Sequence, residues 1–303
     1  MAAPDAADPQ THLPGPHAAR VLVDALDHPE GVCWDPDAGC LYAGGEAGQL
    51  YRVDLDAGTA EVVARAPGQV LGVTVDGAGR VLACASRDGS LCVWNPAAGD
   101  GAARSLLRAV EGDPLVQPNF CAFGPDGTLY LSDSGTWSRA DGRLIALAAD
   151  GTARVLSRAA PHFTNGLAVS PDGRTLWCVE SFEPVLTAFD LTSAAPHPEV
   201  VRRFDGTVLD GLAPTADGGL LVTCYRPDRI YHLDAEGTAT VVAQDPQGTL
   251  LGAPTNVAFA GPRLDVAVVA NLGRWHLTAL DLGLRGAPLH RPARWAADTE
   301  PMT

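Results

Sequence analysis

No lysine occurs in this chain: all 21 basic residues are arginine, set against 36 acidic ones. The resulting formal charge of −15 leaves little with which to neutralise phosphates, so a nucleic-acid partner is not expected. No run of apolar residues approaches membrane-spanning length, and residues 1–17 are polar, Ala/Pro-rich and without an apolar signal-peptide core. The seven cysteines are scattered, odd in number and never paired as CxxC, which argues against a disulfide framework or a thiolate zinc site. They read as buried, reduced thiols, and the expectation is a cytoplasmic protein free of membrane, a monomer or weak oligomer. A GxSxG elbow, a P-loop and a Rossmann glycine fingerprint are all missing. Serine-triad hydrolysis and these modes of nucleotide binding are thereby set aside.

What the chain has in abundance is turns and apolar strands: 33 glycines, 24 prolines and 46 % hydrophobic residues. Six times a short apolar strand is followed by a turn, commonly built on Asp and Gly, and a second strand. GVCWDPDAGCLYAG from Gly31 opens the series and NVAFAGPRLDVAVVAN from Asn256 ends it. From 71 to 119, 119 to 165, 165 to 210 and 210 to 256 the steps are 48, 46, 45 and 46 residues. A third strand follows each pair, and a fourth follows in every unit but the last. The orphan segment ARVLVDAL near the N-terminus can supply that missing strand. These features predict an all-β, six-bladed β-propeller of four-stranded blades, closed by an N-terminal strand that completes the last blade. It should span 18–292, between a disordered extension at 1–17 and a tail at 293–303.

In a propeller the first strand of each blade lines the central channel, so its opening residues converge on the axis. At that position stand Glu30, Leu71, Asn119, Asn165, Asp210 and Asn256. Five of the six carry side-chain oxygens and two are carboxylates. Crowded in a narrow channel such groups are costly unless a hard divalent cation satisfies them. Local turn chemistry is the competing explanation, since Asn-Gly and Asp-Gly pairs also begin strands for conformational reasons. Glu30 has no comparable turn role.

Around these residues the chain resembles the senescence marker protein/gluconolactonase/regucalcin family and, more distantly, the diisopropyl fluorophosphatases. The likeness is carried by HPEGVCWDP from His28, PNFCAFGPDGTLYLSDSG from Pro118 and FTNGLAVSPDGRTLW from Phe163. LDGLAPTADGGLLVTCY from Leu209 and PTNVAFAGP from Pro254 complete it, so that it spans about Val21 to Pro292. The resemblance implies a catalytic divalent metal held by Glu30, Asn165 and Asp210, with Asn119 contacting metal or substrate. Ca²⁺ is the first expectation, with Mg²⁺, Mn²⁺ and Zn²⁺ as alternatives. Two positions depart from the family pattern: Val32 replaces its proline, and Gln117 replaces the arginine with which sugar-lactonase members bind substrate.

The function this suggests is metal-dependent carboxylic ester hydrolysis, opening a small lactone, with Asp210 as general base or nucleophile and Asn119 orienting substrate or water. Substrate contacts are expected from Asn119, Gln117, Tyr225, Trp137 and Asn256. The second strands return to the same face, so their ends should form the rim, at Glu46, Arg87, Ser134, Glu180, Arg226 and Asn271. Taken singly, each reads more simply as a solvated loop residue, and His28, His162 and His276 as surface histidines. A same-fold metal enzyme of other chemistry, such as phosphotriester hydrolysis or a biosynthetic cyclisation, and a non-catalytic binding propeller are the alternatives.

Overall fold

The computed structural model describes residues 18–193 and 196–293. The expected extension at 1–17, and all but the first residue of the expected tail, lie outside the described residues.

Six four-stranded antiparallel sheets follow one another along the chain as blades of a propeller. Their inner strands are Val32–Asp35, Val70–Val75, Pro118–Phe123, Thr164–Val169, Val208–Pro214 and Pro254–Ala260. The sixth blade has only three strands from its own stretch of sequence. Its outer strand is Ala19–Val23, which pairs antiparallel with Leu277–Leu280 and so joins the two ends of the ring. A short hairpin, Ala109–Val110 with Asp113–Pro114, links blades two and three. No helix among the described residues is long and apolar enough to cross a membrane.

The core is divided as the blades are. Six buried clusters occur, one at each interface between neighbouring blades. Strand Val81–Ala85 shows the principle: Leu82 and Cys84 pack towards blade three, while Val81, Ala83 and Ala85 pack towards blade one. A strand covered on both faces has no solvent side to leave polar. This explains why VLACA is uninterrupted where a half-exposed strand would alternate. All seven cysteines are buried and free, inside these layers.

After its last strand the chain crosses the end of the channel opposite the inner-strand openings. The backbone of Arg285, Gly286 and Ala287 bonds to Ala216, Leu264 and Pro214. His290 donates to the Ser170 carbonyl at 2.9 Å, and Arg291 reaches Asp35 at 2.9 Å and the Asp76 carbonyl at 3.0 Å. This strap therefore touches blades five, six, four, one and two. Above it lies a cavity of about 690 Å³ lined by Phe120, Phe123, Leu167, Leu212, Val257 and Phe259, among others.

The closing strand gives a direct test of ring closure. Leu22 is 4 % exposed in the cluster between blades six and one, whereas Val21 beside it is 41 % exposed. Leu22→Ala should lower unfolding free energy by about 2–4 kcal/mol in a denaturant titration, and Val21→Ala by less than about 1 kcal/mol. Equal small effects would mean that the N-terminal strand does not secure the ring.

Candidate active site

The site begins with glycine. In blades one, two, four and five the channel-facing residue is followed by Gly31, Gly72, Gly166 or Gly211. None has a left-handed backbone, so a turn does not require them. A Cβ on Gly31 would instead overlap the Leu71 carbonyl, and on Gly72 or Gly166 the carbonyl of Asn119 or Asp210; on Gly211 it would meet that of Thr255. Glycine is there because neighbouring inner strands approach too closely for any side chain. The competing turn explanation for the Asn-Gly and Asp-Gly pairs is thereby set aside.

That approach crowds the preceding side chains. Glu30, Leu71, Asn119, Asn165, Asp210 and Asn256 are all buried at the start of their strands. Among them Glu30 Oε2, Asn119 Oδ1 and Asn256 Oδ1 have no hydrogen-bond partner. An unpaired buried acceptor costs on the order of 1–3 kcal/mol, so three together need an explanation.

Hydroxyl groups fix which way the amides face. Ser134 Oγ donates to the Thr164 carbonyl at 2.7 Å, and Ser181 Oγ to the Leu209 carbonyl at 2.7 Å. With its proton committed, each serine can only accept from its asparagine. Asn119 Nδ2 accordingly donates to Ser134 Oγ at 2.9 Å, and Asn165 Nδ2 to Ser181 Oγ at 3.0 Å. The remaining atom of each amide is an oxygen. Thr223 and Thr255 continue the ring, donating to the carbonyls of Thr255 and Glu30 at 2.6 and 2.8 Å.

Carboxylates at the second-strand ends hold the loops that lead into the site. Asp133 accepts from the Val116 and Gln117 amides at 3.1 and 2.7 Å, and Glu180 from the His162 amide at 2.8 Å. Asn271 does the same for the Gly252 amide at 3.0 Å. Ser134, Glu180 and Asn271 are therefore buried braces, not the solvated loop residues expected of them. The repeated acid-Ser pair, Asp133-Ser134 and Glu180-Ser181, was the sequence signal for them. Glu46 and Arg87 do sit at the rim, paired at 2.7 Å. Trp137 is exposed there, and Gln117 and Tyr225 are half-buried, the Arg226 guanidinium lying 4.8 Å above the Tyr225 ring.

The three histidines are also better anchored than expected. His28 Nδ1 donates to the Leu272 carbonyl at 2.9 Å, His276 Nε2 to the Leu250 carbonyl at 3.1 Å, and His162 lies 3.1 Å from Glu183. His28 with Asp27 and Glu46 forms a cluster whose ligand atoms lie within 4.8 Å of one another. Its carboxylates already have donors: Asp27 accepts from Ala47 and Gln49, and Glu46 pairs with Arg87. Glu30 Oε2, Asn119 Oδ1 and Asn256 Oδ1 lack such donors, which makes the channel the better cation holder.

Electrostatics point the same way. Burial pushes the Glu30 carboxyl up to about 8. Burial, then the charge of Glu30, drives Asp210 well above the usual carboxylate range, opposed by a hydrogen bond from Asn165. Two carboxylates, surrounding amide oxygens and no basic side chain make an all-oxygen donor set, which fits a hard divalent cation. Leu71 contributes no donor on the blade-two side.

A carboxyl raised in the folded state stabilises that state at low pH. The contribution is complete below the unfolded value near 4.5 and disappears as pH rises through about 8. A cation competes with those protons, so its affinity rises over the same window. Protein treated with EDTA should therefore lose thermal stability between about pH 5 and pH 9, and added Ca²⁺ should restore progressively more of it. A stabilisation by Ca²⁺ that does not change with pH would exclude Glu30 and Asp210 as its ligands.

Comparison with known proteins places this geometry. A search of curated protein sequences found no match. Among solved structures, a gluconolactonase from Xanthomonas campestris superposes with a TM-score of 0.76 at 21 % identity, over 92 % of this chain and 96 % of that one. The calcium-binding protein regucalcin from Agrobacterium tumefaciens gives 0.74 at 20 % identity, over 91 % and 97 %. A luciferin-regenerating enzyme gives 0.74 at 17 % identity, over 90 % and 98 %. At these identities the likeness concerns the fold. The model of the SMP-30/Gluconolactonase/LRE-like region matches residues 28–272, from just before Glu30 to just after Asn271, and the chain belongs to that family.

Proposed function

We propose that the protein is a metal-dependent hydrolase that opens a small lactone at the mouth of its central channel. The observation carrying this reading is the set of buried, unpartnered oxygens of Glu30, Asn119 and Asn256, with the buried Asp210, at the openings of the inner strands of a chain that belongs to this family. Glu30, Asn165 and Asp210 would hold a divalent cation. Ca²⁺ is favoured by the oxygen-only donors, and a structurally similar protein, regucalcin, is calcium-binding. Bound there, the cation would supply Lewis-acid polarisation of an ester carbonyl.

The chain's own residues do the remaining work. Asp210 lies at the centre of this constellation with its proton affinity raised, as a general base requires. It takes the proton of the attacking water while the water oxygen bonds to the carbonyl carbon. As the ring C–O bond breaks, that proton passes to the departing alkoxide, and a hydroxy acid leaves. Direct attack by the Asp210 carboxylate, followed by hydrolysis, uses the same position. Asn119, oriented by Ser134, presents its oxygen to water or to a substrate hydroxyl. Gln117, Tyr225, Trp137 and Asn256 contact the remainder of the substrate.

A second reading is supported by Gln117. Without the family's substrate-binding arginine, the same fold and metal could serve other chemistry, such as phosphotriester hydrolysis or a cyclisation.

The deciding assay measures a panel of lactones with metal-stripped protein before and after adding Ca²⁺, Mg²⁺, Mn²⁺ or Zn²⁺. Turnover should return with metal, and Asp210→Asn should lower kcat by at least about 10²-fold. The same variant should melt higher than wild type when both are metal-free near pH 8, because it removes a buried carboxyl whose raised proton affinity costs stability above its unfolded titration range. Metal binding without turnover of any lactone would favour the second reading. A protein that binds no metal would overturn both.

The serine braces give an independent check. Ser181→Ala frees the Asn165 amide to rotate and should weaken metal binding about 10- to 100-fold by calorimetry. Unchanged affinity would remove Asn165 from the ligand set.

A further inference from the structure

At the site face, between blades three and four, three aromatic rings form a closed set. Trp137 and Phe163 have centroids 5.1 Å apart, Trp137 and Phe182 4.7 Å, and Phe163 and Phe182 5.0 Å. Phe163 is 6 % exposed and forms the base, while Trp137 and Phe182 present 65 % and 40 % of their surface to solvent. Large exposed rings grouped in this way are uncommon on a protein surface without a binding role.

Their place in the chain ties them to the channel oxygens. Phe163 stands two residues before Asn165, and Phe182 directly follows Ser181, whose hydroxyl holds the Asn165 amide. Trp137 is three residues beyond Ser134, whose hydroxyl holds Asn119. Phe163 also adopts a φ of 64°, a backbone conformation unfavourable for a bulky residue. It is held there between the Pro161 carbonyl, which accepts from its amide at 3.0 Å, and the Ser181 amide, which donates to its carbonyl at 3.2 Å. The apolar surface thus begins within a few residues of the groups expected to hold metal and carbonyl.

The polar groups nearby offer few partners to a polyhydroxylated substrate. Position 117 is Gln, not a guanidinium. His162 and Arg203 are both taken up by Glu183, at 3.1 and 3.6 Å. Glu180 is buried and engaged by the His162 amide. His162 and Arg203 are thereby held by Glu183, Arg139 two residues beyond Trp137 is exposed to solvent, and the rings themselves offer a flat apolar face.

Resting on the hydrolase reading above, we infer that Trp137, Phe163 and Phe182 form an apolar subsite that selects uncharged lactones bearing an alkyl or aryl substituent over sugar lactones. The ester carbonyl lies over the channel and the substituent lies across Trp137 and Phe182.

Two measurements on the metal-loaded, full-length protein test this. The first compares kcat/KM for δ-decalactone, δ-valerolactone and glucono-δ-lactone. Wild type should prefer the alkyl-substituted ring over the bare one by roughly tenfold or more, and the double variant Trp137→Ala/Phe182→Ala should bring that ratio close to one. Trp137→Phe should keep most of the preference, which separates a lost apolar face from a disturbed fold. A preference for the sugar lactone, or an unchanged ratio in the double variant, overturns the subsite. The second measurement is calorimetric binding of δ-valerolactam and its 6-hexyl derivative, which does not depend on turnover. If no lactone is hydrolysed but wild type binds the hexyl compound more tightly and the double variant does not, the hydrolase reading fails and the subsite stands. Equal binding of the hexyl compound by both proteins sinks the subsite whatever the reaction proves to be.

Discussion

The approach of neighbouring inner strands around the channel is the constraint from which the site follows. Where Gly31 faces the Leu71 carbonyl, Gly72 that of Asn119 and Gly166 that of Asp210, the strands are too near for a Cβ. That proximity forces the preceding residues into a ring narrow enough for their oxygens to compete for the same space. A propeller with wider spacing could keep every one of these side chains and still let water solvate each separately. The glycines therefore belong to the chemistry as much as to the backbone.

Crowding alone would scatter the polar groups by repulsion, and the hydroxyl ring prevents it. Ser134, Ser181, Thr223 and Thr255 each spend their proton on a backbone carbonyl. Two of these carbonyls belong to Thr164 and Leu209, the residues just before Asn165 and Asp210, and one belongs to Glu30 itself. Two of these blade-joining hydroxyls, Ser134 and Ser181, also align the Asn119 and Asn165 amides, so blade contact and ligand orientation share one network. Placing Glu30 and Asp210 inside it raises the proton affinity of both. The fold accepts this local cost because six interfacial clusters and the exchanged strand Ala19–Val23 secure the ring elsewhere.

Much of this was legible in the sequence because a repeat reports itself several times. Blade number, the closing role of ARVLVDAL and the ring position of Glu30, Asn119, Asn165, Asp210 and Asn256 all came from comparing equivalent positions. What escaped depended on contacts between units with no common spacing. The strap through His290 and Arg291 meets five blades and repeats nothing. Trp137, Phe163 and Phe182 are dispersed over 46 residues and two blades, and only Trp137 stood out as a substrate wall. His28, His162 and His276 seemed solvated because their partners, Leu272, Glu183 and Leu250, are set by loop packing. The glycines were visible but ambiguous, since a strand-opening Gly looks the same whether it serves a turn or a close approach.

Departures from the repeat are the more informative part of the ring. Blades three and six carry Phe120 and Val257 where the others have glycine, and both side chains line the cavity beneath the channel oxygens. Blade two carries Leu71 where the others have an oxygen. Donors are thereby confined to one arc of the channel, from blade three through blade six to blade one. The aromatic surface stands on the blade-three and blade-four side of that arc, and the buried edge at Leu71 is apolar. A substrate held by its carbonyl over such a ring meets different chemistry in different directions. Sixfold repetition supplies the frame, and the positions that break it decide which way a molecule can lie.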